Sequence, residues 1–138
     1  MTRWLLPILA ALASPLAAQS GPFEAARGAA LTPGQWTYAR TAGGSEARFG
    51  ASFAIRCLAT SRLVVLQRLD GAAPDAMTIA TDLLSRGVPA SGTLGSADPL
   101  LDAIAFSRGR FLVSGGSAQR LVIPASPEAA RSIEDCRN

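Results

Sequence analysis

The sequence predicts an α+β fold: an antiparallel meander or sandwich of about six strands with two short helices. Three observations predict it. Apolar and polar residues alternate in several short segments, glycine-containing turns separate those segments, and two other segments begin with a capping residue followed by proline. The second helix is C-terminal, and we expect a disulfide to tether it. A chain of 138 residues has room for one domain.

The strand predictions rest on alternation and on runs of β-branched and aromatic residues. They cover residues 35–40, 46–50, 52–58, 62–69, 77–83, 110–114 and 119–123. Residues 62–69 are apolar on both faces, which predicts a central strand covered on both sides. Residues 86–97 show no clear period and are expected to form a long loop with one short strand near Thr93. The register of the last hairpin stays open, because loops of two, three and four residues each leave one face mixed.

The first predicted helix begins at Asp98, whose carboxylate can cap it, with Pro99 at the first helical position. Gly109 is the expected stop. The apolar stripe consists of Leu100, Leu101, Ile104 and Phe106.

The second predicted helix is capped by Ser126 and begins at Pro127, with Ala130 and Ile133 on its buried face. Cys136 follows on that face. The chain has two cysteines, so a disulfide between Cys57 and Cys136 is expected if the protein is exported. Closing so long a loop contributes roughly 4 kcal/mol in chain-entropy terms.

The first twenty residues have the layout of a secretory signal peptide. Arg3 precedes an apolar run over residues 4–13, and small residues follow, with cleavage after Ala18 or after Ser20 both open. The run is shorter than the about 20 apolar residues that a spanning helix needs. We therefore expect a signal peptide (1–20), a flexible N-terminal arm (21–34) and a single globular domain (35–138). The expected location is periplasmic or secreted, with no stable membrane span after cleavage.

The charged residues exclude several functions. The chain has 13 basic residues, all of them arginines, and 10 acidic residues. This surplus of positive charge is too small to indicate nucleic-acid binding. The chain has no histidine, which excludes a Ser-His-Asp triad and imidazole metal ligands. Oxidised cysteines would exclude thiolate zinc sites as well. No nucleotide-binding fingerprint is present. We expect no cofactor, no metal and no catalytic residues.

Arg108 and Arg110, on either side of Gly109, form the candidate site for an anion or a partner, because two guanidinium groups can grip a carboxylate or phosphate. The alternative interpretation is structural: Arg108 supports a helix end and Arg110 lies on a solvent-exposed strand face. Asp98 and Asp102 share a helix face. They suit a cap and a favourable first-turn charge better than an acid/base pair across a cleft.

Glu134 and Asp135 lie near a helix C-terminus, where the helix dipole disfavours acids. A salt bridge to Arg56 or Arg137 is the expected explanation. A further set of arginines on or beside strands predicts either a basic face toward anionic glycan or lipid headgroups or scattered solvating charges. That set is Arg40, Arg56, Arg62 and Arg68.

Four segments carry a resemblance: 98–102, 106–111, 121–124 and 133–137. Together they resemble a group of small exported proteins of alphaproteobacteria, of the sphingomonad type, whose members are uncharacterised. A more distant similarity links the terminal strand, turn, strand and helix to the invasion-associated locus B proteins, although their additional cysteines are missing here. The resemblance implies export and assigns no activity or site residue.

The function expected from these observations is a non-enzymatic binding or envelope-associated module, with an unknown protein or envelope component as partner. The alternative is an inhibitor or accessory subunit of a periplasmic enzyme, acting through the loop at 86–97. A carboxylate-dependent hydrolase is the third hypothesis, and it requires two carboxylates facing each other across a deep cleft. The oligomeric state does not follow from the sequence.

Overall fold

The computed structural model describes residues 21–71, 76–115 and 119–138. The predicted signal peptide (1–20) lies outside the described residues. The helices are α1 (Pro22–Ala25), α2 (Pro99–Ala105) and α3 (Pro127–Asp135). The strands are β1 (Trp36–Thr41), β2 (Gly44–Phe49), β3 (Phe53–Leu58), β4 (Leu63–Arg68), β5 (Met77–Ala80), β6 (Ser85–Val88), β7 (Thr93–Gly95), β8 (Arg110–Ser114) and β9 (Leu121–Pro124).

The strands form two antiparallel sheets. The first has five strands in the order β1-β2-β3-β4-β7, and the second has four in the order β6-β5-β8-β9. The α+β prediction with a C-terminal helix is confirmed. The strand count is nine within the described residues instead of about six, and a short helix, α1, adds to the two predicted.

The region 86–97 accounts for most of the difference in strand count. It was expected to be a long loop with one short strand near Thr93. β7 lies at that position and pairs with β4, whereas β6, most of which falls in this region and pairs with β5, was not predicted. Two such short strands, in a segment with three glycines, leave no periodic signal in the sequence. The strand predicted over 77–83 ends at Ala80, where Thr81 begins a turn that leads into β6.

The main core lies between the inner faces of the two sheets and the helices α2 and α3. The second sheet is buried on both faces at β8, because the alternation in that strand places Phe111 and Val113 in the main core and Leu112 in a second cluster. Double coverage was predicted for 62–69 instead. There Leu63 and Val65 are only half-buried, so β4 has one buried face.

The N-terminal segment covers the outer face of the second sheet. Phe23 and Ala26 are buried against Ala80, Leu112 and Val122. Further along, the Thr32 backbone N–H donates to the Val122 carbonyl at 2.9 Å, and the Val122 N–H donates to the Thr32 hydroxyl at 2.9 Å. Residues 21–34 therefore contact both the face of the sheet and its β9 edge.

Both predicted helix starts are confirmed. The Asp98 carboxylate accepts from the Leu100 N–H at 2.9 Å, and the Ser126 hydroxyl accepts from the Glu128 N–H at 3.2 Å. The end of α2 differs from the prediction. The helix stops at Ala105, so Gly109 belongs to the following loop, and Phe106 is 67% exposed instead of lying in the apolar stripe.

The predicted disulfide between Cys57 and Cys136 is present, with the sulfurs 2.04 Å apart. It joins the end of α3 to β3. Ser132, one turn earlier on the same helix face, donates to the Ile55 carbonyl at 3.2 Å and lies 3.1 Å from the Ser45 hydroxyl. The buried face of α3 runs through Ala129, Ser132, Ile133 and Cys136, and the predicted face residue Ala130 is only half-buried.

The register of the last hairpin pairs Arg110 with Pro124 and Phe111 with Ile123. This register turns Phe111 and Ile123 into the core together. Among the helices of the described ranges, none has the length and apolar character needed to cross a membrane.

Candidate anion-binding site

Three segments that are distant in sequence meet in one open cleft. They are α1, the turn after β5 and the loop that leads into β8. The cleft has a volume of about 500 Å³. It is called the arginine cleft below, and its lining residues are Phe23, Arg27, Asp82, Arg108, Gly109 and Arg110.

Arg108 and Arg110, the candidate pair from the sequence, both line the arginine cleft. Gly109 between them has φ +83°, a left-handed conformation that glycine adopts without strain. Arg108 is exposed. Arg110 is half-buried at the start of β8, and one of its terminal nitrogens donates to the Ala29 carbonyl at 2.5 Å. The two arginines therefore differ in role: Arg110 holds the N-terminal segment, and Arg108 is free to meet a ligand.

Arg27 brings a third guanidinium group to the arginine cleft. Its central carbon lies 5.9 Å from the centre of the Phe23 ring, and it pairs with Glu24 at 2.5 Å. Both Arg27 and Glu24 are well exposed, so this pair is weak and open to competition from another anion. Phe23 is itself buried against the sheet, which fixes the side of the cleft on which Arg27 lies.

The arginine cleft has an excess of positive charge. Asp82 is its one lining carboxylate, and Asp82 accepts the backbone N–H of Arg108 at 3.4 Å. Within the described ranges, neither Arg108 nor Arg110 forms an ion pair with an acidic side chain. Planar guanidinium groups with free N–H donors match the oxygens of a carboxylate, sulfate or phosphate.

A second cleft also contains arginines, but its excess of positive charge is smaller, with two arginines and one carboxylate in its lining. It is lined by Arg62, Ser96, Ala97, Asp102 and Arg137, with a volume of about 400 Å³. Arg137 donates to Asp102 at 2.7 Å, to Glu134 at 3.1 Å and to the Ser96 carbonyl at 2.8 Å. These contacts use Nε and Nη1 of Arg137, and its remaining terminal nitrogen, Nη2, is buried without a hydrogen-bond partner among the described residues. Because that nitrogen is not open to solvent, this cleft is the weaker candidate.

The candidate salt-bridge residues are placed differently from one another. Glu134 pairs with Arg137, while Asp135 accepts the Tyr38 hydroxyl at 2.5 Å. Arg137 is one of the two expected partners, whereas the other, Arg56, meets neither acid and pairs with Glu46 at 2.5 Å. The reason is strand parity: Cys57 faces α3, so its neighbour Arg56 faces the opposite side of the sheet.

Hydrogen bonds and nearby arginines set the ionisation of Asp135. Burial alone would raise the pKa of Asp135, but the Tyr38 hydroxyl, helped by Ser45 and by the charges of Arg40 and Arg131, lowers it overall. Arg131 also stacks on the Tyr38 ring at 4.1 Å. Asp135 is therefore a charged anchor between α3 and β1, which explains an acid at a helix end.

Asp98 and Asp102 do not face each other across a cleft. Asp98 caps α2 and pairs with Arg86 at 2.7 Å, and the hydrogen bond from Arg86 lowers its pKa. Asp102 pairs with Arg137 at 2.7 Å. Across the described ranges, no group of three or more Cys, Asp or Glu side chains is arranged to hold a metal ion.

Arg68 has a role that the sequence did not reveal. Its side chain is 1% exposed and contacts both oxygens of Asp70, at 2.6 and 3.0 Å. It also donates to the carbonyls of Gly115 and Gln119. Arg68 thus joins the end of β4 to the β8–β9 hairpin. The sequence did contain a signal for this role. Alternate residues of a strand share a face, so Arg68 lies on the same inward face as Val64 and Leu66.

Arg27 and Asp82 were the functional residues that sequence reasoning missed. Arg27 belongs to a segment expected to be a flexible arm, and Asp82 to a segment expected to be a strand. The Asp82–Arg108 hydrogen bond spans 26 residues, and the Arg110–Ala29 hydrogen bond, which holds the segment of Arg27, spans 81. No local pattern reports a contact of that range.

Comparisons with protein-family models, with curated proteins and with solved structures found no match to this chain. The residues of the arginine cleft and their contacts are therefore the basis on which a function is inferred.

Proposed function

We propose that the protein is a non-enzymatic binding module of the periplasm or the extracellular space, and that it recognises an anionic group in the arginine cleft. The observation that carries this proposal is the convergence of Arg27, Arg108 and Arg110 on one open cleft that contains a single carboxylate. Arg108 is the central ligand-binding residue, because its side chain is exposed and has no acidic partner among the described residues.

The compartment is proposed on two grounds. Disulfides persist mainly in oxidising compartments, and this chain has one between Cys57 and Cys136. The first twenty residues also have the composition of an export signal.

Binding is favoured over catalysis because the candidate acids already have structural partners. Asp98 and Asp102 pair with Arg86 and Arg137, and Asp135 accepts from Tyr38. An acid/base pair needs two carboxylates directed at a shared substrate site. The alternative of an accessory subunit acting through 86–97 loses support, since β6 and β7 hold half of that segment in the two sheets.

The proposal is tested by calorimetric titration of the exported protein with inorganic phosphate, sulfate and acetate. At least one of these anions should bind, and binding should weaken as sodium chloride is added. Arg108→Gln should weaken it by roughly tenfold, since hydrogen bonds between charged groups are lost. Arg48→Gln is the matched control. Arg48 is exposed on the face of the first sheet that points away from the core, and it is paired with Glu46.

Two results would refute an anion site in the arginine cleft. One is the absence of binding for all three anions in the unmodified protein. The other is an equal loss of affinity in Arg108→Gln and Arg48→Gln, which would show that the anion responds only to overall net charge.

A further inference from the structure

Two large apolar side chains project from the end of the molecule that holds the arginine cleft. Leu83 and Phe106 are each 67% exposed, more than the other large apolar side chains that are exposed in the described ranges. Those others are Leu31 at 46% and Leu58 at 41%. Exposing a leucine and a phenylalanine to this degree gives up the free energy of burying them in the core. A ligand that contacts both side chains would recover that free energy.

Local hydrogen bonds hold the two turns from which these side chains project. The hydroxyl of buried Thr81 accepts the backbone N–H groups of Leu83 and Leu84 at 3.1 and 3.0 Å. The hydroxyl of buried Ser107 donates to the Ile104 carbonyl at 3.1 Å. Leu83 and Phe106 are thus presented by hydrogen-bonded turns.

The two turns are neighbours in space. Asp82 precedes Leu83 and accepts the backbone N–H of Arg108, which lies two residues after Phe106. Asp82 and Arg108 both line the arginine cleft. The same end of the molecule therefore presents two apolar side chains and the guanidinium groups of Arg27 and Arg108.

The N-terminal segment joins the described structure at this end. Gly21 and Leu83 line one small pocket of about 240 Å³, together with Phe23 and Asp82.

We propose that the ligand of this end is the surface of a bilayer rich in anionic phospholipid, an inference that rests on the proposed function of the arginine cleft. Arg27 and Arg108 would contact headgroup phosphates, while Leu83 and Phe106 would enter the boundary between headgroups and acyl chains. Amphipathic surfaces bind membranes through this combination of apolar area and basic charge. A bilayer fits better than a protein partner, because two separate projecting side chains do not make the well-packed apolar centre of a stable protein interface.

The test is vesicle co-sedimentation with the protein as isolated after export, its N-terminus determined by mass spectrometry. The vesicles contain either phosphatidylcholine alone or a mixture of phosphatidylcholine and phosphatidylglycerol. We expect binding to the mixed vesicles and little to phosphatidylcholine. Leu83→Ser with Phe106→Ser should reduce the binding constant by roughly tenfold, and Arg108→Gln by roughly fivefold.

Leu31→Ser with Leu58→Ser is the control for lost apolar surface, and Arg48→Gln is the control for lost charge. Binding that survives in both controls and falls in both test variants supports the proposal. Equal losses in test and control variants, equal binding to both kinds of vesicle, or no binding to either would overturn it. If inorganic phosphate binds the arginine cleft but vesicles do not, the proposed function stands and the bilayer is excluded; if neither binds, both fail.

Discussion

At the scale of single residues, the arginines of this chain divide according to their partners. Arg68 is buried and satisfied by one carboxylate and two carbonyls. Arg137 is shared between Asp102 and Glu134. Arg108 is exposed and has no ion pair among the described residues. The same side chain therefore serves as an internal connector in Arg68 and as a link between helices in Arg137, and the proposed function gives Arg108 the role of a ligand-binding group.

Replacing Arg68 should be costly. Arg68→Met leaves Asp70 and the carbonyls of Gly115 and Gln119 without their donors, so the free energy of unfolding should fall by about 2–4 kcal/mol. Urea denaturation monitored by circular dichroism measures this. Arg48→Met, on an exposed face, is the control and should change the value by less than about 0.5 kcal/mol. Equal effects of the two substitutions would show that Arg68 is not a connector.

Acid should destabilise the protein through its paired carboxylates. The pKa values of Glu46, Asp98 and Asp135 are all lowered in the folded state. A lowered pKa gives stability that is fully present above the unfolded value and is lost as the pH falls through the folded value. The free energy of unfolding should therefore decrease as the pH falls below the ordinary pKa values, which are 4.5 for glutamate and 3.8 for aspartate.

Between about pH 5 and pH 7 the free energy of unfolding should change little, because the chain has no histidine to titrate in that range. Thermal unfolding from pH 2 to pH 7 measures the whole profile. Asp98→Asn should lose less stability on acidification than the unmodified protein does. An acid profile identical in the two proteins would contradict the role given to the Arg86–Asp98 pair.

At the scale of elements, the helices were more predictable than the short strands. Capping by Asp98 and Ser126 and the prolines that follow them are local signals, and both helix starts are confirmed. β6 and β7 have four and three residues and exist because β5 and β4 supply partners. Such partners are not visible from within a segment. The exposed Phe106 was misplaced for a similar reason, since periodicity cannot show that α2 stops at Ala105.

The disulfide between Cys57 and Cys136 should contribute most of its stabilisation by restricting the unfolded chain. Replacing both cysteines by alanine should lower the free energy of unfolding by roughly 4 kcal/mol, seen as a lower melting temperature. Dithiothreitol should lower the melting temperature of the unmodified protein and leave that of the double variant unchanged. An unmodified protein that is insensitive to the reductant would contradict this account of how α3 is held on β3.

At the scale of the whole molecule, the N-terminal segment completes both the fold and the candidate site. Phe23 and Ala26 cover the outer face of the second sheet, and Arg110 donates to the Ala29 carbonyl beneath the arginine cleft. The sequence predicted the fold class and the disulfide, which are confirmed, and it offered Arg108 and Arg110 as a candidate pair. It did not predict Arg27 and Asp82 beside that pair, because packing over the second sheet brings them there.

Removing the Phe23 ring should loosen the N-terminal segment and the arginine cleft together. Phe23→Ala should lower the free energy of unfolding by about 2–3 kcal/mol, somewhat less than for a central core phenylalanine, since Phe23 packs on an outer face. It should also increase hydrogen exchange at the Thr32 and Val122 amides, whose hydrogen bonds join the segment to β9. Unchanged exchange at both amides would show that the segment is held without Phe23.

The central claim is that the arginine cleft is the place where this protein binds its ligand. Amide chemical shifts measured by nuclear magnetic resonance during a titration with inorganic phosphate test it most directly. We predict saturable shifts concentrated at Arg27, Asp82 and residues 108–110, and their loss in Arg108→Gln. Shifts centred on Arg62 and Arg137, or spread evenly over every exposed arginine, would contradict the claim.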